Sequence, residues 1–259
     1  MIIGFIGTGH MGGSLATILG KGSKDEILLC NRTKEKAERL ALSIGPNARL
    51  ATIEEIAEKS DYVFLGVKPK DLDDLLSVLP QLNGVVVSMV AGVALAEIEP
   101  FLQGAPLLRI LPNTPVAVGK GFTLVCFDDS FTKAEKDAFF SWFAPTGKAV
   151  EVEEDKLNPG GVITGSAPAY LDYFIDALIR AGVEIGLNES EATEYVLSMC
   201  EGAVALAKES GKSPRRLGEE VCSPGGSTIE GVKVLLSEGL YDTVAKATKA
   251  TYEKNKKMR

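Results

Sequence analysis

Histidine is almost missing from this chain, and its absence narrows the chemistry: one residue, His10, is all that 259 positions hold. The four cysteines, Cys30, Cys126, Cys200 and Cys222, never pair as C-x-x-C. With one imidazole and no thiol pair, neither a zinc site nor a disulfide framework is expected, and no metal is called for. Free thiols in a reducing compartment are the simpler expectation. No apolar run approaches the roughly 18 residues of a membrane span. The opening "MIIGFIG" has no charged flank and is interrupted at once by glycine, a poor signal peptide. A cytoplasmic protein with no membrane partner is expected. An excess of basic charge is also lacking: 28 Lys and Arg face 35 Asp and Glu, a net charge of −7. A nucleic-acid binder would show a basic face, so no nucleic acid is expected and small molecules are the natural ligands.

What is present is a regular alternation. Ile2–Ile6 reads as a strand and Met11–Leu19 as a helix. Glu26–Cys30 and Lys34–Ile44 repeat the pattern, and "SDYVFLGVK" and "NGVVVSMVAG" add two more strands with helical stretches after them. Strands apolar at consecutive positions belong to sheets buried on both faces. "PLLRI", "GFTLVCF" and "GKAVEVEE" continue the strands, with a helix over Thr132–Phe143. From about Pro159 the texture turns helical. Tyr170, Leu171, Phe174, Ile175, Leu178 and Ile179 recur at helical spacing, Gly186 is placed as a stop, and Asn188 with Glu191 makes a capping-box signature. Three further helical segments follow. The predicted fold is α/β: an N-terminal Rossmann-type, doubly wound, mainly parallel sheet over residues 1–157, then an all-helical dimerisation domain over 158–259. The helix around Tyr170–Ile179 is too apolar for so small a helical domain to cover alone, so burial against a second subunit is expected.

"GFIGTGHMGGS" carries Gly7-Thr8-Gly9-His10-Met11-Gly12, a G-x-G-x-x-G that follows a strand and opens a helix. That context makes it a dinucleotide fingerprint. An NAD site usually ends its second strand in Asp or Glu; this chain has "LLCNRTKEK". Arg32 suits a 2′-phosphate, with Asn31, Thr33 and Lys34 in support, so NADP is favoured; otherwise Arg32 is a solvated first-turn residue. Other strand ends offer Val67-Lys68-Pro69, Ala91-Gly92 and Asn113 between two prolines. Lys68 reads as a surface charge or a coenzyme contact, and Asn113 as a residue held rigidly enough to orient a nicotinamide. His10, within the phosphate turn, reads as a turn residue rather than an acid or base. "EVEEDK" reads as a charged linker, with Glu154 facing the nicotinamide as the other option.

Acids and bases for alcohol–ketone chemistry are scarce. Related hydroxyacid dehydrogenases place a Lys shortly after a Gly-Ser turn, where this chain reads Gly165-Ser166-Ala167-Pro168-Ala169-Tyr170-Leu171. An imine fits better, because its protonated form already accepts hydride.

These motifs together, "GFIGTGHMG", "NR" after the second strand, "VKP", "VAGV", "RILPNTP", "GSAPAYL" and above all "SPGGST", resemble pyrroline-5-carboxylate reductase over nearly the whole chain. The resemblance implies NADPH-dependent, less often NADH-dependent, reduction of 1-pyrroline-5-carboxylate to L-proline. It also implies a helical domain that interlocks with a second subunit, in dimers that often build a decamer. His10 stands where that family often has Asn, and Glu219-Glu220 where it often has Asp-Asn. Under the resemblance, Gly225 and Gly226 precede a helix from near Thr228, and their free N–H groups are expected to hold the substrate carboxylate, with Ser227 beside them. Thr228 is the candidate catalytic residue, bonding the ring nitrogen. Two rivals remain at this point: a reductase of another cyclic imine or oxo acid, and a non-catalytic NADP sensor.

Overall fold

The apolar runs of the first half become strands because each finds a neighbour on both sides. In the computed structural model, which describes residues 1–257, the order is β1 (Ile2–Ile6), α1 (His10–Gly20), β2 (Glu26–Cys30), α2 (Lys34–Ile44), β3 (Ala48–Leu50), α3 (Ile53–Lys59) and β4 (Tyr62–Leu65). There follow α4 (Leu72–Val78), β5 (Val85–Ser88), α5 (Leu95–Ile98), β6 (Leu107–Leu111), β7 (Gly121–Phe127), α6 (Lys133–Phe143) and β8 (Gly147–Glu151). The strands form one sheet in the order β3-β2-β1-β4-β5-β6-β7-β8. All neighbours are parallel except β6 and β7. The chain leaves β1 first toward β2 and β3, then crosses back to β4 on the other side. That reversal opens a crevice at the carboxyl ends of β1 and β4, where sheets of this kind bind ligands.

Side chains alternate across β1. Ile3 and Phe5 join Leu15, Ala16 and Leu19 of α1 and Phe139 and Phe143 of α6 on one face. Ile6 joins Ile56 of α3 and Leu72, Leu75 and Leu76 of α4 on the other. Each fully buried Leu, Ile or Phe contributes roughly 1.5–3 kcal/mol. Gly4 admits α3 to the sheet: a Cβ there would lie 2.3 Å from Ile56 Cγ2.

Two segments differ from the sequence reading. The short edge strand β3, "ARL", has no apolar alternation to announce it and exists because Ile27, Leu28 and Leu29 of β2 pair with it. "EVEEDK" is no linker: it ends β8 and starts α7 (Glu154–Gly161). Glu154 and Asp155 suit the first turn of α7 by opposing the helix dipole, and Leu157 packs against Leu124 and Cys126. A π-helical turn, Val162–Ser166, follows.

The chain forms two compact units. The first comprises Met1–Ser166 together with the chain from Thr251 onward; the second is Ala167–Ala250. The second holds α8 (Ala167–Glu184), α9 (Glu189–Ser210), α10 (Pro214–Val221), α11 (Ser227–Ser237) and the larger part of α12 (Leu240–Asn255). Its helix ends follow local chemistry. Asn188 Oδ1 accepts from Glu191 N while Glu191 Oε2 accepts from Asn188 N, and Gly186 takes φ +111° after α8. Yet among residues 167–250 only Gly182 and Ala192 are buried. Tyr173 is 79% exposed, and Leu171, Phe174, Leu197, Leu206 and Leu235 are also open. By itself this unit has almost no core.

Candidate active site

Each glycine of the fingerprint has its own physical cause. Gly7 takes φ +96°, and a Cβ there would sit 2.6 Å from the carbonyl carbon of Gly66. The β1 turn and the β4 turn therefore meet backbone to backbone. Gly12 is needed because its Cβ would lie 2.5 Å from Gly7 O, so α1 rests directly on the turn. Gly9 is different: its φ of −66° suits any residue, and a Cβ there meets nothing within 4 Å. No protein contact requires that glycine, and its missing side chain leaves room for a ligand at the first turn of α1. That turn has no side-chain cap and no acid, so its amides are free for an anion. Beside it, Thr8 Oγ1 is buried without a hydrogen-bond partner. A cradle that a side chain would fill and an orphaned hydroxyl in the same turn both fit a pyrophosphate.

The crevice has a volume of about 820 Å³ and is lined by Gly7, Thr8, Gly9, His10, Asn31 and Arg32, with Val67 and Lys68 from the β4 side. Asn31 ties the two turns, accepting from Thr8 N at 3.2 Å and donating from Nδ2 to Thr33 O at 3.0 Å. Arg32 is 87% exposed, and its NH1 lies 3.5 Å from Asp71 Oδ1. Lys34 leans toward Glu38 on its own helix and does not line the crevice, whereas Lys36 does. Lys36 was missed in the sequence, because Arg32 precedes the N-cap of α2 and no helical spacing links the two. Met11 packs into the core, and Pro69 starts a short 3-10 turn beyond the crevice wall. Burial, with a smaller push from Glu54, raises the Cys30 thiol, and burial above all raises Cys126 to about 11. Neither is a thiolate nucleophile at neutral pH.

A second cavity, about 480 Å³, opens at the carboxyl ends of β5 and β6 and is lined by Ala91, Gly92, Arg109, Pro112, Asn158 and Ser166. Ala91 is thus in place at a strand end. Glu154 Oε1 accepts from Leu95 N at 2.8 Å and from Arg109 NH1 at 3.1 Å. It works as a bracket between α7, α5 and β6. Asn113, expected to orient a nicotinamide, has both amide atoms engaged within the chain. Its Oδ1 accepts from Phe122 N and its Nδ2 donates to Thr164 O in the π-helical turn. Since Gly165 and Ser166 of that turn line the cavity, Asn113 holds part of the wall.

In "SPGGST", Gly225 takes φ +75°. The Gly226 N–H is not free: it donates to Ser223 O at 3.0 Å. A Cβ on Gly226 would lie 2.6 Å from Ser223 Oγ. Helix α11 begins at Ser227, one residue earlier than expected, with Gly226 as its cap. The amides of Ser227 and Thr228 open α11, precede any intrahelical acceptor and are available to an anion. The two glycines shape the turn that presents them.

A switch-point crevice with this fingerprint, joined in sequence to an all-helical unit, defines a Rossmann-class oxidoreductase dependent on a nicotinamide dinucleotide. Residues 2–92 match the NADP oxidoreductase, coenzyme F420-dependent family, and residues 154–258 match the pyrroline-5-carboxylate reductase dimerisation family. The chain is 33% identical over 260 residues to the pyrroline-5-carboxylate reductase of Aquifex aeolicus, covering 100% of this chain and 97% of that protein, and it belongs to the pyrroline-5-carboxylate reductase family. Solved structures agree. The 1-pyrroline-5-carboxylate reductase of Streptococcus pyogenes superposes with a TM-score of 0.91 at 28% identity, covering 99% of this chain and 98% of that one. The Plasmodium falciparum pyrroline carboxylate reductase, solved with NADP bound, gives 0.89 at 26% identity, covering 100% and 98%. Among the described residues no helix is long and apolar enough to cross a membrane.

Proposed function

We propose that this chain uses NADPH in preference to NADH, binding it through residues 1–157, and that residues 158–259 bind the substrate and form the dimer. The reaction is that of the family: reduction of 1-pyrroline-5-carboxylate to L-proline, the closing step of proline biosynthesis. The observation that carries the coenzyme reading is Gly9, whose missing side chain serves no protein contact, beside the unpartnered Thr8 hydroxyl. Gly7, Thr8, Gly9 and His10 offer the pyrophosphate turn, and Met11 and Gly12 support it from the core. Asn31, Arg32 and Lys36 take the 2′-phosphate; Val67, Lys68 and Pro69 flank the crevice from β4, and Ala91 serves the nicotinamide end. When bound, the coenzyme supplies the hydride. The amides of Ser227 and Thr228 hold the substrate carboxylate, in a turn shaped by Gly225 and Gly226. The Thr228 hydroxyl bonds the ring nitrogen. No strong acid is required, because the imine arrives protonated and its nitrogen keeps that proton as the adjacent carbon becomes saturated.

The test is NADPH oxidation, expected only when 1-pyrroline-5-carboxylate is added. Arg32→Ala should raise the KM for NADPH by the loss of one charge-assisted contact, about 1.5–3 kcal/mol, and leave NADH nearly unaffected. Equal losses with both coenzymes would remove Arg32 from the 2′-phosphate.

The exposed apolar faces of α8, α9 and α11 explain why the chain dimerises: a unit with two buried residues in 84 cannot stand in water alone. A cytoplasmic decamer of such dimers is the proposed assembly. Sedimentation at low micromolar concentration should reveal no monomer; a stable, folded monomer would refute an obligate dimer.

A further inference from the structure

We infer that Asp71 determines how sharply the crevice distinguishes a 2′-phosphate from a 2′-hydroxyl. The inference rests on the assignment of Arg32 to the 2′-phosphate.

The end of β2 reads Cys30-Asn31-Arg32 and carries no acid, which is the position where an NAD site places one. A carboxylate enters the same crevice from the β4 side, near the tip of the Arg32 side chain. Asp71 ends the 3-10 turn that follows β4, lines the crevice, and sets its Oδ1 3.5 Å from Arg32 NH1. Its side chain is 30% exposed against 87% for Arg32. The acid is thus a fairly fixed part of the wall, while the guanidinium is free to move. Asp71 stands at the N-cap of α4, but its side chain makes no capping hydrogen bond. No capping hydrogen bond holds the carboxylate, which leaves its oxygens available to the crevice.

Two opposed effects follow from that placement. A 2′-phosphate must draw Arg32 away from Asp71 and sit within like-charge reach of the carboxylate, which weakens its binding. A 2′-hydroxyl has no such conflict, and Asp71 can accept its hydrogen bond, the role usually filled from the end of the second strand. Lys36 and Lys68 line the same crevice and keep its balance positive, with Asp74 as the other acid there. Asp71 therefore moderates a preference that Arg32 and Lys36 create.

The experiment is calorimetric titration of the intact oligomer with NADPH and with NADH, without substrate and without turnover. Asp71→Asn should tighten NADPH binding about two- to five-fold, the range for an exposed charge pair, and weaken NADH by a similar factor. Asp71→Glu, which keeps the charge, should leave the ratio near that of the parent. The shift should shrink as salt rises toward 1 M, where screening acts within about 3 Å. If Asp71→Asn moves both affinities together, or neither, the inference fails. An Arg32→Ala variant that weakens both coenzymes equally overturns the reading of Arg32. A selective Arg32→Ala beside a flat Asp71→Asn overturns this inference alone.

Discussion

Gly9→Val should abolish coenzyme binding while leaving the fold nearly as stable as before. The valine has room: φ −66° and ψ −168° are extended geometry, and nothing lies within 4 Å of the new Cβ. The stability cost is that of a poorer N-cap residue, about 1 kcal/mol. The cost to the ligand is larger, because the branched side chain fills the cradle in front of the free amides of α1. The dissociation constant for NADPH should rise more than about 100-fold, equivalent to ~2.7 kcal/mol. Gly7→Val provides the contrast. There φ is +96° and the Cβ would collide with the Gly66 backbone, so that variant should lose thermal stability first. Calorimetric titration beside thermal denaturation separates the two. Near-parental NADPH affinity in Gly9→Val would show that the pyrophosphate does not rest on this turn.

The second large effect concerns "SPGGST". Gly226→Val should eliminate saturation by 1-pyrroline-5-carboxylate. Its Cβ would lie 2.6 Å from Ser223 Oγ, which can rotate aside, and 3.2 Å from Ser223 O, so the turn survives with a small adjustment while the branched side chain obstructs the carboxylate beside the Ser227 and Thr228 amides. Affinity for NADPH should stay within about two-fold of the parent, because the fingerprint belongs to the other unit. Thr228→Ala probes the same site without touching the turn. One lost hydrogen bond to the ring nitrogen should lower kcat/KM roughly 10–100-fold, about 1.4–2.7 kcal/mol, with an unchanged melting temperature. A Gly226→Val enzyme with the parental KM would place the carboxylate elsewhere. A Thr228→Ala enzyme with parental kcat/KM would relieve Thr228 of its role.

Much of this protein was legible in residue order alone, where the deciding interactions lie within a few positions of one another. The bounds of β2 and α2, the capping box from Asn188 to Glu191, and the strand–turn–helix setting of Gly7–Gly12 all depend on near neighbours. So does the helix break at Ser223–Gly226, and its coupling to the other motifs was sufficient for the family. What only the tertiary structure decided is the partner of each polar group. Asn113 meets Thr164, 51 positions away, and Glu154 meets Leu95, 59 positions away. Asp71 reaches Arg32 only because the chain crosses from β2 back past β1 to β4. Strand β3 exists because β2 offers it an edge. Periodicity and capping are short-range effects written into neighbouring residues. A long-range hydrogen-bond partner is settled by which distant segments the sheet order brings together, and no local pattern records that.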